Sequence, residues 1–390
     1  MGKTILYIWD SDYPWDVRVE KICRSLMSAG HEVHVASRNL QRNPTYEEDQ
    51  GLHIHRIRTW KNDRLNYAFS FPAFFSPFWK RFFDSIITGY HIDLIIVRDL
   101  PMAIAGIWSG RRHGCPVIFD MAEDYVAMVR DIWRARKFQG FNLVVRNPYL
   151  AGMVEHYALP RFDHVLVVID EAKKVAMRAG ASSDKITIVG NTPQLADDKS
   201  VPEPLSQFQD HYLAVYTGGI QLGRGLQVVF EAIPLIVTKI PHFMFIIIGA
   251  GYAVEQLKQM AREQAVDRFI CWVGWVNHEV LFQYIGTADI GIIPHYRSAH
   301  VDTTIPNKIF DYMACGLPVI ASDAPPLQRV VEETGAGLVF KSGDSADLAQ
   351  VVMRVYSSPE NYGEKGGAAV RKKYNWSIDK KRLLDVVNGF

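Results

Sequence analysis

The stretch Thr303–Asp323, TTIPNKIFDYMACGLPVIASD, contains the start of a helix, its end and a buried strand. Pro306 suits the first helical position, because its φ is already helical and its missing N–H would be unpaired there. Gly316 can take the left-handed conformation at which helices end, and Pro318 prevents continuation. VIAS then has the composition of a short buried strand. The stretch therefore predicts one helix–strand repeat of an α/β fold.

The same helix carries residues suited to a ribose diphosphate. Lys308, Asp311 and Tyr312 fall three and four residues apart, on one face. Lys308 and the free N–H groups of the first turn would face phosphates, and Asp311 would accept hydrogen bonds from sugar hydroxyls. The structural alternative is an ordinary surface Lys–Asp pair.

Length and composition limit the class of protein. The 390 residues favour two domains, and 48% hydrophobic with 22% charged residues is typical of a soluble globular enzyme. A net charge of +1 gives no general attraction to nucleic acid. The 4 cysteines lack metal-ligand spacing, so we expect free thiols in a reducing compartment. Without a signal peptide or an apolar spanning segment, we expect a cytoplasmic protein, with the inner face of the cell membrane as the alternative.

Strands and helices alternate along both halves of the chain. Near-continuous apolar strands separated by helices predict parallel sheets covered on both faces. Residues 196–210 are polar and Pro-rich and read as a linker between a domain of residues 1–195 and a second domain beginning at residue 211. Two such domains would form a cleft at the carboxyl ends of their strands, where open α/β sheets bind ligands.

Three strand ends in the second half are candidate nucleotide contacts. AVYTGGIQLGRGL offers a glycine pair for close backbone approach and Arg224 for two phosphate oxygens, although a tight turn with an exposed Arg is the alternative. FIIIGAG is a weaker glycine turn. GWVNHEVL could present the face of Trp275 to a base, or could simply cap the next helix.

Acidic residues end two strands of the first half. Asp10 and Asp12 in WDSD match a metal-binding pair but lack a third ligand, so we interpret them as solvated loop carboxylates. Asp120 and Glu123 in DMAED could orient sugar hydroxyls or transfer a proton. Favourable acidic residues at a helix start are the alternative.

The segment Trp60–Ile87 combines clustered aromatic residues with interleaved Lys and Arg. This composition is typical of a segment in a membrane interface, and equally of two buried core helices.

The second half resembles a GT-B glycosyltransferase of the large retaining family 4. The similarity runs in order through VYTGGIQLGRGL, FIIIGAG, VGWV, ADIGIIP and PNKIFDYMACGLPVIASD. The first half resembles the family through DVRVEKICRSLMSAGHEVHVAS and the strand before Asp120, and YNWSIDKKRLLDVV is similar to its C-terminal helix. The resemblance implies an α/β GT-B fold, with two Rossmann-like domains whose parallel sheets face each other across a cleft.

The resemblance also implies roles for the domains. Residues 1–195 would bind the acceptor, residues 211–365 the nucleotide sugar, and residues 366–390 would cross back as a helix to the N-terminal domain. It implies metal-independent, retaining transfer of a sugar from a UDP-sugar, which is a substrate, so no cofactor is expected. Family habit and the segment Trp60–Ile87 together suggest a saccharide acceptor of surface polysaccharide synthesis, linked to a lipid such as polyprenyl diphosphate. The predicted catalytic residues are Arg224, Lys308, Asp120 and Glu123. The predicted donor-binding residues are Gly218, Gly219, Arg224, Gly249, Gly251, Trp275, Val276, Thr303, Thr304, Ile305, Lys308 and Asp311.

Three departures from the family pattern affect these roles. Thr303 stands where the family has the first Glu of its Glu-x7-Glu motif, so Asp302 would have to supply that carboxylate. Gly219 replaces a usual Arg, and Ala122 replaces a His. The alternatives are therefore a GT-B sugar-nucleotide epimerase and a degenerate transferase that binds nucleotide sugar and regulates a partner. A nicotinamide dehydrogenase is disfavoured, because no strand is followed by a full GxGxxG.

Overall fold

The computed structural model describes residues 2–14, 16–71, 74, 76–135, 143, 146–195, 205–358 and 360–390. Within these ranges the chain divides into two compact units, Met1–Asn191 with Asp379–Phe390, and Thr192–Ile378. Most of the predicted linker, residues 196–204, lies outside the described residues, so its conformation stays a prediction.

The first unit is built on a sheet of eight described strands. Its strands are β1 (Thr4–Asp12), β2 (Glu32–Arg38), β3 (Tyr46–Asp49), β4 (Leu52–Arg56), β5 (Leu94–Arg98), β6 (Val117–Met121), β7 (His164–Val167) and β8 (Ile186–Ile188). Its helices are α1 (Val17–Ser28), α2 (Asp63–Phe69), α3 (Pro77–Tyr90), α4 (Ala103–His113), α5 (Tyr125–Ala135), α6 (Pro148–Ala158) and α7 (Asp170–Arg178). The order is β3-β4-β2-β1-β5-β6-β7-β8, parallel except for the β3–β4 hairpin.

The second unit contains a six-stranded parallel sheet in the order β11-β10-β9-β12-β13-β14. Its strands are β9 (Tyr212–Thr217), β10 (Phe243–Ile248), β11 (Ile270–Gly274), β12 (Ile290–Ile293), β13 (Val319–Ser322) and β14 (Gly337–Phe340). Its helices are α8 (Leu226–Ile236), α9 (Val254–Glu263), α10 (His278–Thr287), α11 (Lys308–Ala314), α12 (Pro325–Thr334), α13 (Ser345–Ser357) and α14 (Tyr362–Lys372). A last helix, α15 (Trp376–Asn388), begins in the second unit and ends in the first.

Alternation along the strands explains the helices on both faces. In β9, Ala214 and Tyr216 belong to one buried apolar cluster, whereas Leu213 and Val215 belong to another. Successive strand side chains point to opposite faces, so a strand apolar at every position needs cover on both sides. The predicted α/β class with two parallel sheets is confirmed.

The opening stretch folds largely as its sequence indicates, with one difference. Gly316 is left-handed at φ 72, directly after the end of α11, and VIAS forms β13. The helix begins at Lys308, however, so Pro306 lies before it and not at its first position. The reason is visible in the preceding backbone, where Val301–Thr303 forms a short 3-10 helix and Thr304 is extended.

Candidate functional site

The glycine turn after β9 packs directly against the glycine turn after β10. The amide of Gly218 donates to the carbonyl of Ile248 at 2.9 Å. A Cβ at Gly249 would lie 2.0 Å from the carbonyl oxygen of Gly218, and one at Gly251 would lie 2.0 Å from that of Ile220. A side chain at either position would therefore collide with backbone. Gly249 and Gly251 bring the two turns together, which gives them a structural role in addition to any ligand contact.

Lys308 reaches the first of these turns from the start of α11. Its Nζ lies 3.6 Å from the centroid of the Tyr216 ring, and a Cβ at Gly218 would lie 3.3 Å from that Nζ. Burial lowers the pKa of Lys308 well below its usual value, and the positive charge of Arg224 lowers it further, against the opposing effect of Asp311. The structure thus brings together a lysine and an arginine whose charges repel, as in a site made for an anion.

Arg224 is held beside a buried histidine that the sequence analysis missed. Arg224 ends a short 3-10 helix, and Gly225 follows in the left-handed conformation, where a Cβ would lie 1.8 Å from the carbonyl oxygen of Pro294. The Nη1 of Arg224 lies 3.4 Å from Nδ1 of His295. Burial, with the charges of Lys308 and Arg224, lowers the pKa of His295 well below 6.5. This imidazole is therefore neutral at physiological pH.

The second ring nitrogen of His295 strengthens the case for a ligand. Its Nε2 is buried and has no hydrogen-bond partner within the described part of the chain. Buried polar atoms are normally paired, so an unpaired one next to two cations indicates a missing polar partner. The only signal in the sequence was its position just after an apolar strand.

These groups meet at the topological switch point of the second sheet. Strand β9 pairs with β10 on one side and with β12 on the other, so the connections after β9 and β12 leave in opposite directions. Gly218 and Arg224 follow β9, and His295 follows β12. Open α/β sheets bind ligands at the carboxyl ends of strands at this point.

Helix α11 presents its residues differently from the sequence prediction. The amides of Ile309 and Phe310 donate to the carbonyls of Pro306 and Asn307 at 3.3 and 2.9 Å, so fewer N–H groups are left for a ligand. Tyr312 is buried, and its hydroxyl accepts a hydrogen bond from the amide of Thr217 at 3.0 Å. Tyr312 therefore holds α11 against the end of β9.

Asp311 lies on the same short helix as Lys308 and is partly buried. Its charge acts on Lys308 and raises the pKa of that ammonium group, as expected for side chains three residues apart on one helix.

The residues before α11 are tied to their own loop. The hydroxyl of Thr303 donates to the carbonyls of Ala299 and His300 at 3.0 and 3.2 Å, and that of Thr304 donates to His300 at 2.9 Å. Asp302, the alternative carboxylate for the transferred sugar, accepts two hydrogen bonds from Arg297. Ile305 packs against the core. In this arrangement Thr303 and Thr304 shape the loop.

The turn after β11 caps the next helix and also leaves its tryptophan exposed. The Asn277 side chain caps α10 by accepting from the amide of Val280 at 2.9 Å, and Val276 packs against the core. Trp275 is 74% exposed, so its ring is accessible for stacking on a base.

In the first unit, Asp120 is part of a buried network and not an open site. Its carboxylate pairs with Arg18 at 2.6 Å and accepts a hydrogen bond from the hydroxyl of Tyr7 at 2.7 Å. Arg18 also donates to the carbonyls of Val189 and Gly190. Burial would raise the pKa of Asp120, but Arg18 holds it below the usual value. The geometry gives Asp120 a structural role in place of the predicted proton transfer, because both oxygens are already bonded. Glu123, by contrast, is exposed.

Two other carboxylates occupy the switch point of the first sheet, between β1 and β5. Burial raises the pKa of Asp99 to about 7 and that of Asp10 to about 6, although Arg98 opposes both shifts. Asp99 has φ 57 and ψ 168, a strained conformation for a residue other than glycine, and its Oδ1 accepts from the amide of Ala122 at 3.1 Å. Asp99 was not predicted from sequence, because only its tertiary surroundings distinguish it.

Asp10 and Asp12 are not the solvated loop carboxylates that the sequence suggested. Strand β1 extends through both residues. Asp12 accepts hydrogen bonds from the amides of Leu40 and Gln41 at 2.9 and 2.8 Å, which anchors the loop after β2.

The aromatic–basic segment, Trp60–Ile87, buries several of its rings, although much of its described surface is exposed. Trp79, Phe83 and Phe74 are buried, and Trp79 donates from its ring N–H to the carbonyl of Phe71 at 3.2 Å. Phe78 is exposed, whereas Phe75 lies outside the described residues. The interface interpretation is therefore wrong for these buried rings, of which Trp79 and Phe83 lie on the buried face of α3.

Comparisons with known proteins agree with this architecture. Residues 16–192 match the glycosyl transferase 4-like domain, and residues 211–358 match the family described as glycosyl transferases group 1. The D-inositol 3-phosphate glycosyltransferase of Thermomonospora curvata is 24% identical over 96% of this chain and 90% of that protein.

Two solved structures show the same fold over their whole length. The sucrose-phosphate synthase of Thermosynechococcus elongatus has a TM-score of 0.77 at 18% identity, covering 99% of this chain and 98% of that one. The Anabaena protein HepE, in complex with UDP-glucose, has a TM-score of 0.73 at 13% identity, covering 100% of both chains.

The chain belongs to the group 1 glycosyltransferases, family 4, with the GT-B fold. It is a glycosyltransferase, and the predictions of family, fold and enzyme class are confirmed.

Proposed function

We propose that this enzyme transfers a sugar, with retention of anomeric configuration, from a UDP-sugar to a lipid-linked saccharide during surface polysaccharide synthesis. The observation that carries the proposal is the cluster of Lys308, Arg224 and neutral His295 around the Gly218 turn. Two cations held side by side repel each other, and a dianionic ligand such as a nucleoside diphosphate stabilises both. HepE, with the same fold, was solved with UDP-glucose, which supports the choice of donor.

In the proposed donor site the diphosphate contacts both basic side chains. Arg224 presents a planar fork that suits two phosphate oxygens, while Lys308 acts as a point charge. Diphosphate binding would return the pKa of Lys308 toward its usual value, because the ligand's negative charge favours the ammonium form. His295 Nε2 is available to one further oxygen. Asp311 would accept hydrogen bonds from the ribose hydroxyls, and Trp275 would stack on the base.

The chemistry proposed for this site is front-face substitution. The bond between the anomeric carbon and the diphosphate oxygen breaks, and a bond to the acceptor oxygen forms on the same face of the sugar. The departing diphosphate takes the acceptor's proton, so the reaction requires no nucleophile from the protein and no metal. Arg224 and Lys308 stabilise the negative charge that develops on the leaving group, which is the main contribution expected of preorganised charged groups.

The proposed acceptor and membrane location rest on the exposed surface of helices α5 and α6. None of the described helices has the length and apolar character needed to cross a bilayer. Helix α6 nevertheless exposes Tyr149 and Met153, 82% and 71% accessible and one turn apart, and it packs beside α5, which exposes Arg130 and Arg134. An exposed tyrosine and an exposed methionine next to basic groups suit the surface of an anionic membrane, where a lipid-linked acceptor would lie.

Incubation of the purified enzyme with a panel of UDP- and GDP-sugars tests the proposal. We expect slow hydrolysis of one UDP-sugar, with the anomeric configuration of the released sugar retained when its NMR spectrum is recorded before mutarotation. Interconversion of two nucleotide sugars would instead show an epimerase. Binding without turnover, even with extracted lipid-linked saccharides present, would show a degenerate transferase.

A further inference from the structure

A cluster of histidines and acidic residues covers one face of the first sheet, at its β3-β4-β2 edge. His34 on β2 lies directly opposite His53 on the neighbouring parallel strand β4, and Glu32 precedes His34 by two residues, on the same face. None of these residues belongs to the donor site described above. We propose that Glu32, His34 and His53 bind a divalent transition-metal ion, with Zn²⁺ as the ion of choice.

The ligand atoms are already close to the spacing that such an ion requires. The Oε1 of Glu32 lies 3.0 Å from Nε2 of His34 and 3.8 Å from Nε2 of His53. One ligand atom from each of the three residues lies within 4.8 Å of the others. Tetrahedral Zn²⁺ with bonds of about 2.0–2.1 Å places its ligand atoms roughly 3.3 Å apart. The observed separations fall on both sides of that value.

Each imidazole is oriented by a partner on its other nitrogen. The Nδ1 of His34 lies 2.9 Å from Nε2 of His55, and the Nδ1 of His53 lies 2.9 Å from the hydroxyl of Tyr46. With a proton on each Nδ1, these contacts leave both Nε2 lone pairs free for a metal. Such outer hydrogen bonds set the tautomer and the ring orientation of metal-binding histidines.

Burial and packing make the site partly preorganised. His34 is fully buried, and the ring of Tyr90 covers it at a centroid distance of 4.5 Å. The His34 and His53 rings are stacked at 4.6 Å, so ion binding requires a rotation of His53, which reaches the surface. Glu32 is exposed, so its carboxylate, 3.0 Å from Nε2 of His34, can shift to make room for the ion between them. The fourth position is left to water at this exposed rim.

The donor set decides which ion is bound. Two imidazoles and one carboxylate favour Zn²⁺ and its first-row neighbours over Mg²⁺ and Ca²⁺, which prefer oxygen ligands. An ion held there joins β2 to β4 beside the edge hairpin. Since the unfolded chain does not hold the three ligands together, the ion stabilises the folded state.

The test uses the full-length enzyme without an affinity tag of histidines, stripped by a chelator and dialysed. Titration with ZnCl₂ should show one saturable site per chain and a rise in the melting temperature, whereas MgCl₂ should produce neither. His53→Asn and Glu32→Gln should each weaken Zn²⁺ binding at least tenfold and remove the thermal shift. Tyr46→Phe keeps all three ligands but removes the outer hydrogen bond, so binding should weaken by roughly tenfold to a hundredfold.

The matched control is His156→Gln on α6, where Nδ1 of His156 lies 2.8 Å from the carbonyl oxygen of Gly152, one helical turn away. This variant should bind Zn²⁺ as the wild type does. Metal-free melting curves establish that each ligand variant folds, and both altered side chains reach the surface. Wild-type protein without a saturable site would overturn the proposal. So would a site unchanged in both His53→Asn and Glu32→Gln, which would place the ion elsewhere.

Discussion

The ammonium group of Lys308 lies over the ring of Tyr216, 3.6 Å from its centroid. The Tyr216 hydroxyl donates to the carbonyl of Gly219 at 2.9 Å, which fixes the ring beside the glycine turn. The ring face partly compensates the ammonium for its lost hydration. Burial still lowers the pKa of Lys308, so the charge is held at a position where an anionic ligand would stabilise it.

Removal of either basic side chain should slow transfer. Arg224→Ala and Lys308→Ala each remove one charged group from the leaving diphosphate, which costs roughly 2–4 kcal/mol of transition-state stabilisation and about a hundredfold in turnover. Steady-state rates with the UDP-sugar donor measure the effect. The exposed residue Lys239, changed to Ala, is the control and should leave the rate unchanged. Near-wild-type rates in both site variants would show that the donor site is wrongly placed.

Asp311→Asn should weaken donor binding while the fold is retained. The substitution keeps the shape of the side chain but replaces part of its capacity to accept hydrogen bonds from ribose hydroxyls with N–H donors. Calorimetric titration with the donor should show the lower affinity, and thermal unfolding should occur near the wild-type temperature. A variant that unfolds early yet binds the donor normally would make Asp311 a structural residue.

Transfer should continue in excess chelator. Arg224 and Lys308 supply the positive charge that a divalent ion supplies in metal-dependent enzymes, so turnover measured well below the melting temperature should not change. The proposed ion at His34 and His53 contributes to stability, and its loss should lower the melting temperature alone. A strict requirement of turnover for Mn²⁺ or Mg²⁺ contradicts this prediction.

The enzyme should bind vesicles of anionic lipid more strongly than neutral ones. Arg130 and Arg134 each contribute about 1 kcal/mol near an anionic surface, and this contribution falls as salt screens it. Co-sedimentation with phosphatidylglycerol and phosphatidylcholine vesicles at low and high salt provides the measurement. Replacing Tyr149 and Met153 with Ser should reduce binding, because both side chains are exposed on α6.

The control for the vesicle experiment is Met177→Ser, since Met177 is an exposed methionine on a different helix, α7. Its vesicle binding should equal that of the wild type. If the wild type ignores anionic vesicles, the exposed residues of α6 have another role, and the lipid-linked acceptor loses its structural support.

Asp99→Asn should make the folding stability of the protein less dependent on rising pH. The folded-state pKa of Asp99 is raised to about 7, above the unfolded value of about 3.9, so the folded protein holds this proton more tightly. The contribution of this group to the free energy of unfolding is therefore fully present below pH 4 and is lost as the pH rises to about 7. The loss is up to about 1.4 kcal/mol per pH unit. Asn has no charge to bury, and it retains an oxygen for the amide of Ala122.

Thermal unfolding of both proteins at pH 5.5 and pH 8 tests this expectation. The stability of Asp99→Asn relative to the wild type should be greater at pH 8 than at pH 5.5. An equal difference at the two pH values would mean that the carboxyl group titrates normally.

Much of the fold follows from local sequence patterns. The alternation of apolar strands and helices predicted both parallel sheets, and the left-handed Gly316 ends α11 as its position in the sequence indicated. These features depend on neighbouring residues, whose conformational preferences operate over a few positions. The start of α11 was misplaced by two residues, because the short 3-10 helix before it is set by contacts within its loop.

The sequence alone predicted Arg224 and Lys308 as donor-site residues, since a strand, a glycine turn and a basic residue form a local pattern. It could not identify His295, whose importance comes from burial beside Arg224, 71 positions earlier in the chain. Nor could it show that the carboxylate of Asp120 is bonded to Arg18, 102 positions away. That pairing gives Asp120 a structural role in place of proton transfer.

The sequence by itself determined the fold class, the order of elements and the family, because hydrophobic periodicity and turn residues act along the chain. Only the tertiary structure decided which polar groups are paired, which aromatic rings are buried and which carboxylates have raised pKa values. The tertiary structure likewise places Trp79 in the core and brings Glu32, His34 and His53 together as a candidate metal site. Desolvation and charge pairing depend on which strands and helices are neighbours in space, and sequence spacing does not encode that distance.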